Sequence, residues 1–330
     1  MEQFQTLIEI IQDRASRAEN GIIFISGDKQ EEYVSYSQLL EQALQVLHQL
    51  QEKGVQPGDK LIMQIEDNHT FVNVFWGCLL GGIVPVPVSI GNNDEHKMKL
   101  FKIWSTLTCP YMIADHKVLE QLEKYSHQHE MLDFFDSVKK ATFSSHNFDY
   151  SDQNKGTIYE SRPEDLALIQ FSSGSTGDPK GVMLTHENLV YNIRDIASQT
   201  GMTSSDVYLG WMPLTHDLGL IAFHLTCVIA HAKQLIMPTA LFIRRPSLWL
   251  KKVSEHKVTQ ICSPNFGFKF FLDQYKSKTA DNWDLSSVRM ILNGAEPISV
   301  ELCHVFMEAM SVHGLKKISC ILYTAWQRQA

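Results

Sequence analysis

Residues 172–182 read Ser172-Ser173-Gly174-Ser175-Thr176-Gly177-Asp178-Pro179-Lys180-Gly181-Val182. Hydroxyl side chains donate hydrogen bonds to phosphate oxygens and can help to hold Mg2+. The glycines let backbone N–H groups approach an anion closely, and Lys180 adds a compensating positive charge. These residue types at this spacing suit a polyphosphate. A plain flexible loop can share the composition, but apolar flanks on both sides, residues 166–171 and Val182-Met183-Leu184, argue for a loop held in place. The spacing is not the Gly-x-x-x-x-Gly-Lys-Ser/Thr of a P-loop, and it is not the dinucleotide fingerprint Gly-x-Gly-x-x-Gly.

The elements that must position this loop alternate. Residues 1–20 carry an amphipathic helical pattern, and residues 21–25 a strand. The strand–helix–strand rhythm continues through residues 60–65, 70–80 and 84–88. Residues 139–160 are polar and read as a surface loop or linker between two halves. In the second half, strands are expected over residues 166–171, 207–211, 258–262 and 288–292. Helices are expected over 187–199, 218–228, 247–255 and 300–310. The fold expected from this rhythm is a layered α/β fold.

Composition sets the outer limits. The chain has 330 residues, 44% hydrophobic and 20% charged, enough to build a sizeable core. The net charge of −8 disfavours a general nucleic-acid or anionic-membrane binder. Cys78, Cys109, Cys227, Cys262, Cys303 and Cys320 form no close pair and read as small hydrophobes in a reducing, cytoplasmic compartment. No histidine or cysteine spacing suits zinc. The apolar run 71–88 is broken by Asn73, Gly81-Gly82, Pro85 and Pro87, so it reads as a buried helix followed by a strand, with no stable membrane insertion.

The loop resembles the phosphate-binding signature of the adenylate-forming, AMP-binding enzymes. Val34-Ser35-Tyr36-Ser37-Gln38-Leu39, Pro57-Gly58-Asp59 and Gly81-Gly82-Ile83-Val84-Pro85-Val86-Pro87 are similar to that family's early motifs. Four further strings are similar to its fatty acyl-AMP ligase branch: Trp211-Met212-Pro213-Leu214-Thr215-His216-Asp217-Leu218-Gly219-Leu220, the run from Phe242 to Leu250 with Arg244-Arg245-Pro246, Ser263-Pro264-Asn265-Phe266-Gly267-Phe268, and Asn293-Gly294-Ala295-Glu296-Pro297-Ile298.

The resemblance implies ATP-dependent activation of a fatty or other carboxylic acid as an acyl-adenylate, followed by transfer to the phosphopantetheine thiol of an acyl carrier protein, with ATP and Mg2+ as cofactors. It implies that Ser172, Ser173, Gly174, Ser175, Thr176, Gly177 and Lys180 hold phosphates, with Thr176 near Mg2+. Asn293, Gly294, Ala295 and Glu296 lie along the adenine. His216, Asp217, Asn265, Phe266 and Gly267 attend the acid, and Thr176 and His216 serve catalysis. An acyl-CoA synthetase, an amino-acid adenylation domain and an inactive nucleotide-binding remnant stay open beside this reading. His216 as a surface cap, Arg244 and Arg245 as surface charge, and Trp249, Phe266, Phe268, Phe270 and Phe271 as plain core are the structural alternatives.

The resemblance divides the chain into a first α/β subdomain over residues 1–160, a second, incomplete one over 161–318 and an aberrant tail over 319–330. It implies a truncated large domain without the small C-terminal domain. The family's later Tyr-Gly motif, ribose aspartate and catalytic lysine are not found in the sequence. Codons for Val-Tyr-Gly-Met-Ala-Glu-Ala-Ser, read one nucleotide later, give Tyr-Thr-Ala-Trp-Gln-Arg-Gln-Ala, the sequence of residues 323–330. A frameshift after residues 314–317 is therefore expected, and with it poor solubility and little adenylation by this chain alone.

Overall fold

The computed structural model describes residues 4–17, 20–91, 93–151, 153–172, 178–275, 282–294, 296–316 and 320–323, with the backbone alone for Ser172 and 320–323. Helix α1 (Leu7–Ala15) is shorter than the expected 1–20. It begins at a capping box in which Thr6 and Glu9 satisfy each other's backbone N–H groups. Strands β1 (Gly21–Ile25) and β2 (Glu31–Ser35) form a hairpin, and α2 (Tyr36–Glu52) follows.

A strand–helix alternation then runs β3 (Lys60–Gln64), α3 (Asn68–Leu80), β4 (Val84–Pro87), α4 (Asp94–Thr106), β5 (Tyr111–Ala114), α5 (His116–Gln128), α6 (Leu132–Lys140) and β6 (Thr142–Ser144). The four strands form one parallel sheet in the order β4-β3-β5-β6. Helix α3 is buried from Phe71 to Leu80 and spans 13 residues, about 20 Å, short of a bilayer's hydrocarbon core. No helix among the described residues is long and apolar enough to cross a membrane. Pro85 and Pro87 lack an N–H, and β4 tolerates them because it is an edge strand. Strand β6 lies inside the segment expected to be a linker. It has only three residues, Thr142, Phe143 and Ser144, paired from Met112↔Thr142 to Ala114↔Ser144, and one apolar residue between two polar ones is too short a pattern to mark a strand.

The antiparallel pair β7 (Leu166–Ser172) and β8 (Lys180–Thr185) leads into α7 (His186–Gln199). Beyond it come β9 (Val207–Gly210), α8 (Asp217–Gly219), a π-helical turn (Leu220–Leu225), α9 (Thr226–Ile229), β10 (Lys233–Ile236), α10 (Thr239–Arg244), α11 (Pro246–Glu255), β11 (Gln260–Cys262), α12 (Asn265–Gln274), β12 (Met290–Gly294), α13 (Val300–Met310) and β13 (Cys320–Tyr323). Their sheet has the order β13-β12-β11-β9-β10-β1-β2, parallel except for β2. Strand β10 escapes the sequence pattern because Gln234 sits in its middle. That buried amide is satisfied by His224 (2.8 Å) and the Tyr36 hydroxyl (3.0 Å). The single helix expected over 218–228 is interrupted by the π turn.

The chain forms two compact units, one of Met1–Ser16 and Ser37–Tyr191, the other of Arg17–Tyr36 and Asn192–Ala330. The β1–β2 hairpin joins the second unit because β1 pairs with β10 from Ile22↔Gln234 to Phe24↔Ile236. The β7–β8 hairpin stays with the first, where Ile169 packs into the core of Ile62, Val86, Phe101, Met112 and Tyr125. The core of the second unit is aromatic: Trp249 lies against Phe268, Phe271 and Phe306 at centroid distances of 5.9–6.1 Å. Of the expected aberrant tail over residues 319–330, residues 320–323 form β13, and residues 319 and 324–330 lie outside the described residues.

Candidate active site

In the second unit, β9 lies between β10 and β11. The chain leaves β9 for β10 on one side and then crosses back to β11 on the other. Connections that diverge in this way open a crevice at the carboxyl ends of the strands, the general binding place of open α/β sheets. Among the segments that leave that edge are residues 211–216 after β9, Ser263-Pro264 after β11, and 296–299 beyond β12. They place His216, Asp217, Asn265, Phe266, Gly267, Gly294 and Glu296 along one sheet edge.

His216 is the residue before α8. Its Nδ1 stands 2.6 Å from Asp217 Oδ1, and the Leu218 N–H donates to the same carboxylate at 2.7 Å. The hydrogen bond to Asp217 raises the His216 pKa, against the opposing effect of burial. Burial pushes the Asp217 carboxyl up, but the hydrogen bond and charge of His216, with the Leu218 N–H, outweigh it and hold the group below its ordinary range. The Leu218 N–H also lies 3.2 Å from His216 Nδ1. Asp217 thus makes protonation of His216 easier than in a free histidine, and the protonated ring offers Nε2–H as a donor suited to an anionic oxygen. Gly219 is required here: a Cβ would lie 2.2 Å from the Pro213 carbonyl oxygen.

Helix α12 is tied to the segment after β12. Asn265 Nδ2 donates to the Pro297 carbonyl at 2.7 Å. Asn265 Oδ1 accepts from Asn293 Nδ2 at 2.9 Å and from the Ser299 N–H at 3.1 Å. Glu296 Oε1 accepts the Phe266 N–H at 3.0 Å, an acidic group on a helix's first turn. Asn293 is fully buried; its Nδ2 also reaches Cys303 Sγ, and its Oδ1 has no partner among the described residues. Gly267 lets α12 approach β9's outgoing segment, since a Cβ would meet Trp211 at 2.4 Å and Ser263 Oγ at 2.3 Å. Trp211 stacks on Phe242 at 3.9 Å, and Phe266, 51% exposed, meets it edge-on. Trp249, Phe268 and Phe271 are core residues. Arg245 pairs with Asp28 at 3.6 Å.

The structure thus unites Asn265, Phe266, Gly267, Asn293 and Glu296 in one cluster, and His216 with Asp217 in another. Pro297, Ser299 and Trp211 are members that sequence reasoning did not single out as site residues. A Ser-Pro-Asn string at a strand-to-helix junction was their only local signal.

The glycine-rich loop joins β7 to β8 in the first unit. Ser172 pairs with Lys180 across the hairpin, so the loop opens from a strand pair and not onto a helix. Ser173, Gly174, Ser175, Thr176 and Gly177 lie outside the described residues, as does Ala295. At the hairpin's mouth Lys180 is exposed, and Asp178 pairs with Lys102 of α4 at 2.7 Å. The exposed Lys180 ammonium at the strand end is a donor of the kind that fits phosphate oxygens. Elsewhere, Glu31, Glu255 and His256 lie close enough together to hold a metal, but Lys252 Nζ already stands 2.6 Å from both carboxylates.

Residues 11–319 match the family model of the AMP-binding enzymes. The chain belongs to that family. Among its relatives, the medium-chain-fatty-acid–acyl-carrier-protein ligase JamA of Moorena producens is 29% identical over 98% of this chain and 55% of its own length. The adenylation domain of a keto acid-selecting NRPS module, bound to keto acyl adenylate, superposes with a TM-score of 0.89 at 28% identity, covering 98% of this chain and 60% of that one. The fatty acyl-adenylate ligase from L. pneumophila, in complex with acyl adenylate and pyrophosphate, gives 0.84 at 26% identity, covering 96% and 54%. The chain spans about half the length of the curated relatives it matches.

Proposed function

We propose that this AMP-binding family chain carries the nucleotide- and acid-binding part of an ATP-dependent ligase. The enzyme activates a fatty acid as its acyl-adenylate and passes the acyl group to the phosphopantetheine thiol of an acyl carrier protein. A carboxylate oxygen attacks the α-phosphorus of ATP and pyrophosphate leaves. The thiol sulfur then attacks the acyl carbon and AMP leaves. The observation that carries the reading is the His216–Asp217 pair, a charged donor at the carboxyl edge of a parallel sheet beside a topological switch point.

The other assignments follow from that placement. His216 orients the acid's carboxylate through a charge-assisted hydrogen bond. Phe266 and Trp211 give the acyl chain an apolar surface. The segment from Asn293 to Glu296 attends the base. Residues 172–180 hold the phosphates, with Lys180 offsetting their charge and Thr176 beside Mg2+. When bound, Mg2+ screens the charge of the phosphates and of the attacking carboxylate. The similarity to the acyl-carrier-protein ligase of Moorena producens and to two solved structures with bound adenylates supports the same chemistry.

The reading is tested by titrating the chain with MgATP. Wild type is expected to bind saturably, and Lys180→Ala to weaken binding about tenfold. Equal affinity in the two proteins would remove Lys180 from the phosphate site, and no binding by wild type would overturn the reading.

A further inference from the structure

The strongest unabsorbed feature of the second unit is the way in which Asn265 is occupied. An asparagine side chain offers two N–H donors and an oxygen with two lone pairs. Here the oxygen accepts from both Asn293 Nδ2 and the Ser299 N–H, so it has nothing left for a ligand. One N–H goes to the Pro297 carbonyl. The orientation is unambiguous, because exchanging the amide's N and O would set oxygen against the Pro297 oxygen and NH2 against the Ser299 N–H. Four neighbours of this side chain or its helix, Asn293, Glu296, Pro297 and Ser299, belong to β12 and the segment after it.

We infer that Asn265 is a positioning residue. It fixes the segment between β12 and α13 from its place on α12, and it does not contact the acid. The inference rests on the reading above, in which that segment attends the nucleotide's base. The geometry gives the coupling a physical form. Ser299 is the N-cap of α13, its hydroxyl accepting the Leu302 N–H, so its backbone N–H is held by Asn265 while its side chain starts the helix. Pro297 has no N–H of its own, and its carbonyl is taken by Asn265. Glu296 returns the tie by accepting the Phe266 N–H. The segment is therefore clamped to α12 at residues 296, 297 and 299. Asn265 also orients the Asn293 amide, whose other contact is Cys303 on α13. Removing the Asn265 side chain leaves the Pro297 carbonyl and the Ser299 N–H without these partners and frees the segment, while Phe266 and the His216–Asp217 pair keep theirs.

The test separates nucleotide from acid. AMP and a medium-chain fatty acid are titrated separately into wild type, Asn265→Ala and Asn265→Asp. Hydrogen exchange is followed at the Ser299 amide. Asn265→Ala is expected to weaken AMP about tenfold, to change fatty-acid affinity less than twofold, and to speed exchange at Ser299. Asn265→Asp keeps the acceptor but sets a carboxylate oxygen against the Pro297 carbonyl, so it is expected to keep Ser299 protected while still weakening AMP. It also keeps the test intact if the alanine variant folds poorly. Loss of fatty-acid affinity with AMP unchanged would overturn the inference, because Asn265 would then touch the acid. Equal loss of both ligands, or unchanged AMP affinity with a lowered Tm, would also overturn it, leaving a purely structural residue. Failure of wild type to bind AMP would instead overturn the reading on which it rests.

Discussion

Asp217 favours the charged form of His216, and the direction of the two pKa shifts gives a signed expectation. The imidazolium is held above its ordinary pKa by the carboxylate. A fatty carboxylate recognised by that charge should bind well at low pH, as long as the acid is ionised, and lose affinity as pH rises through the raised His216 pKa. Asp217→Asn removes the hydrogen-bonded charge and should move that loss to lower pH. Fatty-acid titrations across pH 5–9 check it; an unshifted profile would separate the pair from acid binding. Gly267 gives a second expectation at this scale. Gly267→Ala drives a methyl into Trp211 and Ser263, at a cost of about 1–3 kcal/mol, read as a lower Tm. His216, Asp217 and Asn265 were legible as residues of recognisable strings. The pairing of Asn265 with Asn293, Pro297 and Ser299 was not, because these lie some thirty positions along the chain and only the fold brings them together.

Elements are held by polar contacts that local pattern does not reveal. Asp206 is buried and accepts Arg289 Nε at 2.8 Å, Arg289 NH2 at 2.7 Å and the Thr259 hydroxyl at 2.7 Å. The network ties the amino ends of β9, β11 and β12 together, opposite the candidate site. Arg289→Ala leaves the carboxylate buried without its charge partner and should cost about 3 kcal/mol in denaturant unfolding. In the first unit, the buried His186 accepts the Leu7 N–H at 3.3 Å and pins α1. Burial lowers its pKa to about 4, and that of His224 in the second unit likewise to about 4. Unfolded histidines titrate near 6.5, so the unfolded chain binds more protons between pH 6.5 and 4. Stability should be full above pH 6.5 and fall as pH drops through that window, by about 2 kcal/mol per histidine at pH 5. Unfolding at pH 7.5 and pH 5 reads this directly, and His224→Gln should reduce the loss. Periodicity made α13 and α11 legible. It missed β6, which is only three residues long, and β10, whose Gln234 is paid for by His224 and Tyr36.

At the scale of the molecule, the chain forms two compact units, and each bears some of the candidate residues. The first bears the glycine-rich hairpin, and the second the carboxyl edge with its charged pair and clamped segment. The alternation of strands and helices made the α/β class legible, and the phosphate loop made the family legible. The division into units was not, because β1 joins the second sheet from far away in sequence and β7–β8 stays with the first. The account's central claim is that this chain binds an acyl-adenylate. The most direct measurement is calorimetric titration with a non-hydrolysable analogue, the medium-chain acyl sulfamate of adenosine, alone and with excess MgATP. The account predicts one saturable site per chain, displaced by MgATP and weakened at least tenfold by His216→Ala. No saturable binding by the folded wild-type chain, or binding that neither MgATP nor His216→Ala changes, would contradict it.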